Sequence, residues 1–393
     1  MKLENNEENI YFIKIFFSNK DIKLTKNKKE RKSSFELLRI FLISLIILHH
    51  IFINTNSLHK LNISNYSKII FSKYIILKII SNYGQFGNNV FMMISGYFSV
   101  NKINFNLFKF LYFILEIYSY YYPSLLIGKK LSKKYKKIKF PNYSSNMIYF
   151  PILTRNGNWF IQIYLTLLLF FPYINTGLLS LNKNKYRNLV LTIIFFYCIL
   201  NSLTIFYGFN SIIFQTTPLI RLLLPYIIGG YIKIYDLDYK FLWKIIAILF
   251  FPLTIISEII FDNLALKMNN FNFIIFHLNL SIYMNSILSI LGGIGLIFLF
   301  GKINFYSKKI NFFAASVLGI YLIQGNKHIS PYIYNIWFVI SNINNKYFFF
   351  KYIIKAISII GISIIVDIFR RYTIGLFFEN LIKKLLIKYN AFH

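Results

Sequence analysis

One apolar stretch near the start of the chain contains four ionisable residues that could do chemistry. It reads FELLRIFLISLIILHHIFIN and includes Glu36, Arg39, His49 and His50. In a helix, Arg39 and His50 fall on one face, roughly 16 Å apart along the axis, and His49 points away from it. Glu36, one turn before Arg39, is spaced to pair with its guanidinium. The pattern indicates a cation and a titratable base along one cavity, or else an interfacial ion pair and a structural histidine pair.

The rest of the sequence predicts that this stretch crosses a membrane. Of 393 residues, 56% are hydrophobic and 20% aromatic, and they come in runs of about 20, enough for the hydrocarbon core of a bilayer. We therefore predict an all-α, polytopic transmembrane helical bundle of about ten spans, which excludes a soluble enzyme and a disulfide-built secreted domain. The predicted spans are 35–55, 85–100, 105–128, 158–180, 188–208, 214–234, 241–261, 280–301, 312–341 and 348–370, the ninth being interrupted at Gly325–Asn326–Lys327.

The chain divides into three parts. Residues 1–34 are predicted to be a basic cytoplasmic segment, residues 35–370 the transmembrane domain, and residues 371–393 a basic amphipathic tail. Residues 67–82 have lysines about five apart among apolar residues, which predicts a helix lying in the membrane interface. Ten spans place both termini in the cytoplasm, with most loop lysines on that side. The lysine-rich segment 129–139 falls on the outer side in this topology, which disagrees with the rule that loop lysines lie in the cytoplasm.

The charge balance points to lipid instead of nucleic acid. The sequence has 44 basic and 13 acidic residues, a net charge of +31. Most lysines lie beside apolar runs, where they contact anionic headgroups, so the lipid bilayer is the expected partner and no nucleic acid is expected. Cys198 is the single cysteine, which excludes a disulfide framework and a cysteine metal site. We expect no metal and no permanently bound cofactor.

Polar residues in other predicted spans are further candidates, because they are costly there. Each has a structural alternative. Ser95 belongs to a small Ser-Gly pair that lets helices pack closely, Trp159 suits the interfacial aromatic belt, and Arg221 could pair with Glu116 or Glu258. The candidates for substrate contacts are Asn89, Ser95, Trp159 and Arg221.

In their order and spacing, these residues resemble the acyltransferase type 3 family, integral membrane enzymes that O-acylate carbohydrates of the bacterial surface. The resemblance covers roughly residues 34–370. Its most specific element is an acidic residue, an arginine, ten residues and a histidine, matched by Glu36, Arg39 and His50. The other matched elements are Val90–Phe98, Trp159–Phe160 with Pro172 and Asn175, Arg221 with Pro225 and Gly230–Tyr231, and Gly319–Ile323 with Tyr321. Many members have histidine where this chain has Gln324, so we assign that position no catalytic part.

The resemblance implies an acyl-CoA donor, acetyl-CoA first among them, and a sugar hydroxyl of a surface polysaccharide or exopolysaccharide as acceptor, in a multi-pass protein of the bacterial inner membrane. His50 would act as general base, or accept the acyl group itself. Arg39 would bind the phosphates of CoA, held by Glu36. Five residues would contact substrate: Arg221, Trp159, Ser95, Asn89 and Tyr321.

Two other functions remain open at this stage. A polysaccharide or lipid-linked sugar exporter would also need many spans and intramembrane polar residues, although transporters often show two similar halves and none is visible here. The second is the other large class of membrane-bound acyltransferases, built around one late histidine. His328 is the only candidate for that histidine.

Overall fold

The computed structural model describes residues 32–54, 68–135, 158–200, 217–235, 241–268, 286–335 and 346–391. Within these ranges the chain is helical and has no strand, which confirms the all-α prediction. Four of the described helices are long and apolar enough to cross a membrane. A helical membrane protein is thus confirmed, whereas the number of ten spans stays a prediction.

The described helices are numbered here in chain order. Their bounds are α1 Ser33–Asn54, α2 Lys68–Ser99, α3 Leu107–Lys134, α4 Trp159–Leu179, α5 Lys183–Ile194, α6 Pro218–Ile234, α7 Phe241–Lys267, α8 Ile287–Lys302, α9 Lys308–Ala314, α10 Val317–Gln324, α11 Ser330–Asn335, α12 Phe348–Arg370 and α13 Leu376–Ala391. Two π-helical segments, Phe195–Leu200 and Arg371–Gly375, continue α5 and join α12 to α13.

Local sequence explains where several helices begin. The side chain of Asn106 accepts a hydrogen bond from the backbone of Lys109 and caps α3, and Asn182 caps α5 in the same way at Lys185. Such caps satisfy amide groups that the first turn leaves without a helical partner. Pro218 opens α6, where its missing amide proton costs nothing.

The structure differs from the sequence prediction around α2. The predicted interfacial segment 67–82 and the predicted span 85–100 form one continuous helix, Lys68–Ser99. Gly84 and Gly87 lie inside it and let α1 approach closely, since a Cβ at Gly84 would overlap the His49 side chain and one at Gly87 would lie 3.1 Å from Ile46. These glycines therefore serve packing and do not end the helix. The ninth predicted span is broken at the expected place, between α10 and α11, and a second break between α9 and α10 was not predicted.

Helix α1 lies between two apolar cores. Its first half packs into one with α2, α6, α7 and α8, and its second half packs into another with α10, α11 and α12. Polar contacts hold it in this place: Ser33 Oγ is 2.9 Å from Asn311 Oδ1, and Tyr352 donates to the carbonyl of Leu48 at 2.5 Å. As a result α1 runs beside α9 and α10, and α12 also lies against it.

The outer faces of several helices are apolar. On α12, Ile353, Ile357, Ile365 and Phe369 are between 52% and 68% exposed. In water such a large exposed apolar surface would be unfavourable, whereas in a bilayer it faces hydrocarbon. This surface agrees with a protein that lies in the membrane.

Candidate active site

The half-buried imidazole of His50 meets the last residue of α10. Its Nδ1 lies 2.5 Å from Oε1 of Gln324, which is fully buried. The same amide oxygen accepts a hydrogen bond from the hydroxyl of Tyr334 in α11 at 2.7 Å. The break after α10 lets α11 place Tyr334 back against Gln324. Three separate helices thus meet at one side-chain oxygen.

The polar chain continues into α12. The carbonyl of Tyr334 accepts a hydrogen bond from Nζ of Lys355 at 2.5 Å, and Lys355 has no exposed surface. We call His50, Gln324, Tyr334 and Lys355 the His50 relay. Sequence reasoning assigned no role to the last three, because only the fold brings α1, α10, α11 and α12 together.

The late Gly-x-Tyr-Leu-Ile element and Gln324, which follows it, direct their polar side chains to two different sides of α10. Tyr321 donates a hydrogen bond to Oδ1 of Asn158, just before α4, at 2.8 Å. Its ring also meets Phe160 edge-on at 5.4 Å. The structure thus brings Tyr321 to the start of α4, whereas Gln324 turns toward His50.

Arg39 lies near the other end of α1 and forms the ion pair that the spacing predicts. Its Nη1 is 2.7 Å from Oε1 of Glu36, and its guanidinium lies 6.0 Å from the ring centre of Phe98. A second cation is close by: burial lowers the pKa of Lys102, in the loop between α2 and α3, and the positive charge of Arg39 lowers it further. Two like charges near each other favour a bound anion.

The Pro-x-x-Asn element explains how that loop is held. The amide nitrogen of Asn175, in α4, donates to the carbonyls of Ser99 at 2.8 Å and Lys102 at 2.7 Å. Its oxygen accepts a hydrogen bond from Tyr226 of α6 at 2.8 Å. Asn175 is fully buried and uses both ends of its amide. It is therefore a structural clamp that keeps Lys102 beside Arg39.

Packed side chains separate the two ends of the predicted stripe on α1. Ile43 and Ile46 lie on the same face between Arg39 and His50 and are only 1% and 2% exposed. Leu37 is about 160° around the helix from Arg39, and it is exposed. The stripe therefore faces protein and not the exposed side of the helix, but apolar side chains fill the space between the guanidinium and the imidazole.

The other predicted contact residues lie in different places. The side chain of Ser95 forms a hydrogen bond with Tyr164, and Tyr164 also interacts electrostatically with Arg39. Ser95 therefore lies near the end of α1 that contains Arg39. Asn89 is fully buried and donates to Ser289 of α8 at 2.9 Å. Trp159 is 41% exposed at the first residue of α4, as an interfacial residue would be. Arg221 is exposed in the first turn of α6.

A second buried polar group, which we call the anchor cluster, consists of Glu116, Tyr120, Asp367, Arg370 and Arg371. Arg370 is 2.6 Å from Glu116 and 2.9 Å from Asp367, and Arg371 is 2.9 Å from the other oxygen of Asp367. Tyr120 donates to Asp367 and accepts from Arg370. Glu116 thus pairs with Arg370, whereas the sequence offered Arg221 as its partner. Two acidic and two basic side chains balance one another and join α3 to α12.

His328, the late histidine, lies in the turn between α10 and α11. It is only 2% exposed, and its ring meets Tyr121 edge-on at 4.9 Å. Among the described residues, no three histidine, cysteine or acidic side chains come together as metal ligands.

The helices and their apolar outer faces define a helical membrane protein with buried polar groups. The chain matches the family model of an acyltransferase domain, that of the acyltransferase type 3 family, over residues 32–368. It belongs to this family and is a membrane acyltransferase. Neither the comparison with curated proteins nor that with solved structures gave a match.

Proposed function

We propose that this protein is an O-acyltransferase of a bacterial cytoplasmic membrane. It moves an acyl group, acetyl first among candidates, from acyl-CoA to a hydroxyl of a cell-surface polysaccharide or exopolysaccharide sugar. His50 is the general base. The family match supports the reaction class, and the donor, the acceptor and the role of His50 are the proposal.

The observation that carries the proposal is the contact that orients the His50 imidazole. The imidazole of His50 is held through Nδ1 by Gln324 and keeps a small exposed surface. A ring that is oriented through one nitrogen and retains the second for a substrate suits proton transfer. His49, by contrast, packs against α2 at Gly84.

The chemistry is a single displacement. Nε2 of His50 takes the proton of the sugar hydroxyl as its oxygen attacks the thioester carbonyl. The carbon–sulfur bond then breaks, the acyl group is left on the sugar oxygen, and the CoA thiolate takes the proton from Nε2 of His50, which restores the base. A hydroxyl is a weak nucleophile at neutral pH, and a positioned base speeds such a step by about 10²- to 10⁴-fold.

The Arg39 end of α1 suits the donor. Arg39 and Lys102 offer two cations to the phosphates of CoA, which a guanidinium can bind through two hydrogen bonds. Glu36 holds Arg39 in place. For the thioester to reach His50 along this face of α1, the packing around Ile43 and Ile46 has to open.

The burial of His328 favours His50 over the late-histidine alternative. At 2% exposure, with Tyr121 against it, the ring of His328 leaves no room for a sugar hydroxyl. An exporter without covalent chemistry would leave membership of an acyltransferase family unexplained.

The test is label transfer by the purified, membrane-reconstituted protein. Acetyl-CoA labelled in its acetyl group is supplied with polysaccharide extracted from the source strain, and label in the polysaccharide is counted. We expect transfer by the wild type, a loss of about 10²-fold or more in His50→Ala, and a milder effect in the matched control His49→Ala. Absence of transfer by the wild type with acetyl-CoA and succinyl-CoA would contradict the proposed reaction, and full activity of His50→Ala would remove the assigned base.

A further inference from the structure

We infer that Gln324 is a positioning residue, which selects the tautomer of His50 that leaves Nε2 free to accept a proton. The hydroxyl of Tyr334 donates a hydrogen bond to the same amide oxygen that faces His50. The inference rests on the proposed function insofar as it concerns catalysis. The tautomer itself is a property of the protein without substrate.

Two side chains approach Oε1 of Gln324 within hydrogen-bonding distance. An amide oxygen only accepts hydrogen bonds. It accepts one from the Tyr334 hydroxyl at 2.7 Å, and Nδ1 of His50 lies 2.5 Å away. Since two acceptors cannot share a hydrogen bond without a proton, Nδ1 has to be the protonated nitrogen.

The protonation of Nδ1 determines the state of the other ring nitrogen of His50, Nε2. A neutral imidazole has one proton, so a protonated Nδ1 leaves the lone pair on Nε2. This is the form that can take a proton from a hydroxyl or attack a carbonyl. Without a partner at Nδ1 the ring would exchange between two tautomers and turn about its side-chain bonds.

The hydrogen bonds of the Gln324 side-chain amide lie at its oxygen. Nε2 of Gln324 is buried and has no hydrogen-bond partner among the described residues, so the orientation depends on its oxygen. The Tyr334 hydroxyl is closer to Oε1, at 2.7 Å, than to the backbone carbonyl of Gln324, at 3.4 Å. Lys355 in turn bonds the Tyr334 carbonyl. The reversed amide would donate to Nδ1 and leave the proton on Nε2, where it would block proton transfer.

Gln324 also differs in kind from a charged partner. A carboxylate would stabilise the imidazolium that forms when His50 takes a proton, whereas a neutral amide orients the ring and adds no charge. The Gln324→Glu substitution keeps an acceptor at this place and adds the charge. It therefore separates orientation from electrostatics.

The first measurement needs no substrate. Protein with ¹⁵N-labelled histidine is reconstituted in lipid, and the His50 resonances are assigned by comparison with His50→Ala. We expect the neutral form to have its proton on Nδ1 in the wild type, and a mixture of tautomers in Gln324→Leu. A wild-type proton on Nε2, or an unchanged spectrum in Gln324→Leu, would overturn the inference.

The second measurement is kinetic. We expect Gln324→Leu to lower kcat by about 10²-fold with little change in the KM for acyl-CoA. Gln324→Glu should retain activity, with the acidic limb of the pH–rate profile moved to higher pH. The matched control is Tyr186→Phe, which removes a buried hydroxyl that donates to the carbonyl of Ile227 at 2.8 Å in the other core. If Gln324→Leu were no slower than this control, the positioning role would be wrong.

The two proposals fail in different ways. Label transfer by the wild type with loss in His50→Ala, but without effect of Gln324→Leu, would retain the proposed function and reject the role of Gln324. The expected tautomer in a wild type that transfers no label would retain the placement of His50 by Gln324 and reject the proposed reaction.

Discussion

The anchor cluster and the His50 relay are both buried polar groups against α10, and they differ in how their hydrogen bonds and charges are satisfied. In the anchor cluster, Arg370 and Arg371 face Glu116 and Asp367, so positive and negative charges balance. The His50 relay consists of neutral dipoles ending in one lysine, and its imidazole is held through one nitrogen, Nδ1.

This difference separates a structural group from a chemical one. Charges that are matched inside the protein are expensive to disturb, and they tie α3 and α12 together. An imidazole that is matched on one side only retains a lone pair for a substrate. Buried polarity in a membrane therefore indicates a site only where part of it is left available.

The largest effect on stability is expected for Asp367→Ala. Removal of this carboxylate leaves the buried Arg370 and the partly exposed Arg371 with Glu116 alone, which costs about 3–5 kcal/mol for a broken buried pair. The free energy of unfolding in detergent measures it. The matched control is Glu379→Ala, which breaks the exposed Glu379–Lys383 pair at a cost of less than about 1 kcal/mol. Equal effects of the two substitutions would show that the cluster is no anchor.

A smaller effect is expected for Gly319→Ala. A Cβ at this position would lie 2.8 Å from Oδ1 of Asp367 and would also meet Tyr120, and overpacking of this kind costs about 1–3 kcal/mol. Gly361→Ala in α12 is the control, because nothing lies within 4 Å of its Cβ position. It should be neutral or stabilising, since alanine favours a helix over glycine. Thermal unfolding compares the two variants, and kcat of the folded fraction of Gly319→Ala should stay near that of the wild type if the two polar groups act separately.

The smallest effect concerns a third arginine, Arg39, which pairs with Glu36 and lies near Lys102. Arg39→Lys keeps the charge but cannot bind a phosphate in two-pronged fashion, so we expect the KM for acyl-CoA to rise about fivefold, or about 1 kcal/mol. The KM for the polysaccharide in the same assay is the internal control and should not change. A rise in the acceptor KM alone would assign Arg39 to the sugar instead of the donor.

The features that the sequence predicted best are those formed within a single helix. The first, third and tenth predicted spans overlap α1, α3 and α12 closely, because apolar length and flanking charge determine them. The Glu36–Arg39 pair is likewise local, three residues apart on one helix. The predicted interfacial helix 67–82 became the first part of α2, since the glycines that follow it pack against α1 rather than interrupt the helix.

The relay was beyond sequence reasoning for a geometric reason. Gln324 is 274 residues from His50 along the chain. Its position after Tyr-Leu-Ile showed only that this chain has glutamine where many relatives have histidine. The roles of Asn175 and Lys102 were also not predicted. The Pro-x-x-Asn motif includes Asn175, but the hydrogen bond from Asn175 to the carbonyl of Lys102 joins segments that are distant in the sequence.

A helical membrane protein with a cation and an imidazole on one face of α1 could be predicted before folding was considered, because hydrophobic length and helical periodicity are local properties. Three other outcomes are visible only in the folded protein: Gln324 contacts His50, Glu116 pairs with Arg370 instead of Arg221, and Ile43 and Ile46 pack between the two ends of the face. Those outcomes depend on which helices are neighbours, and packing between distant segments fixes that.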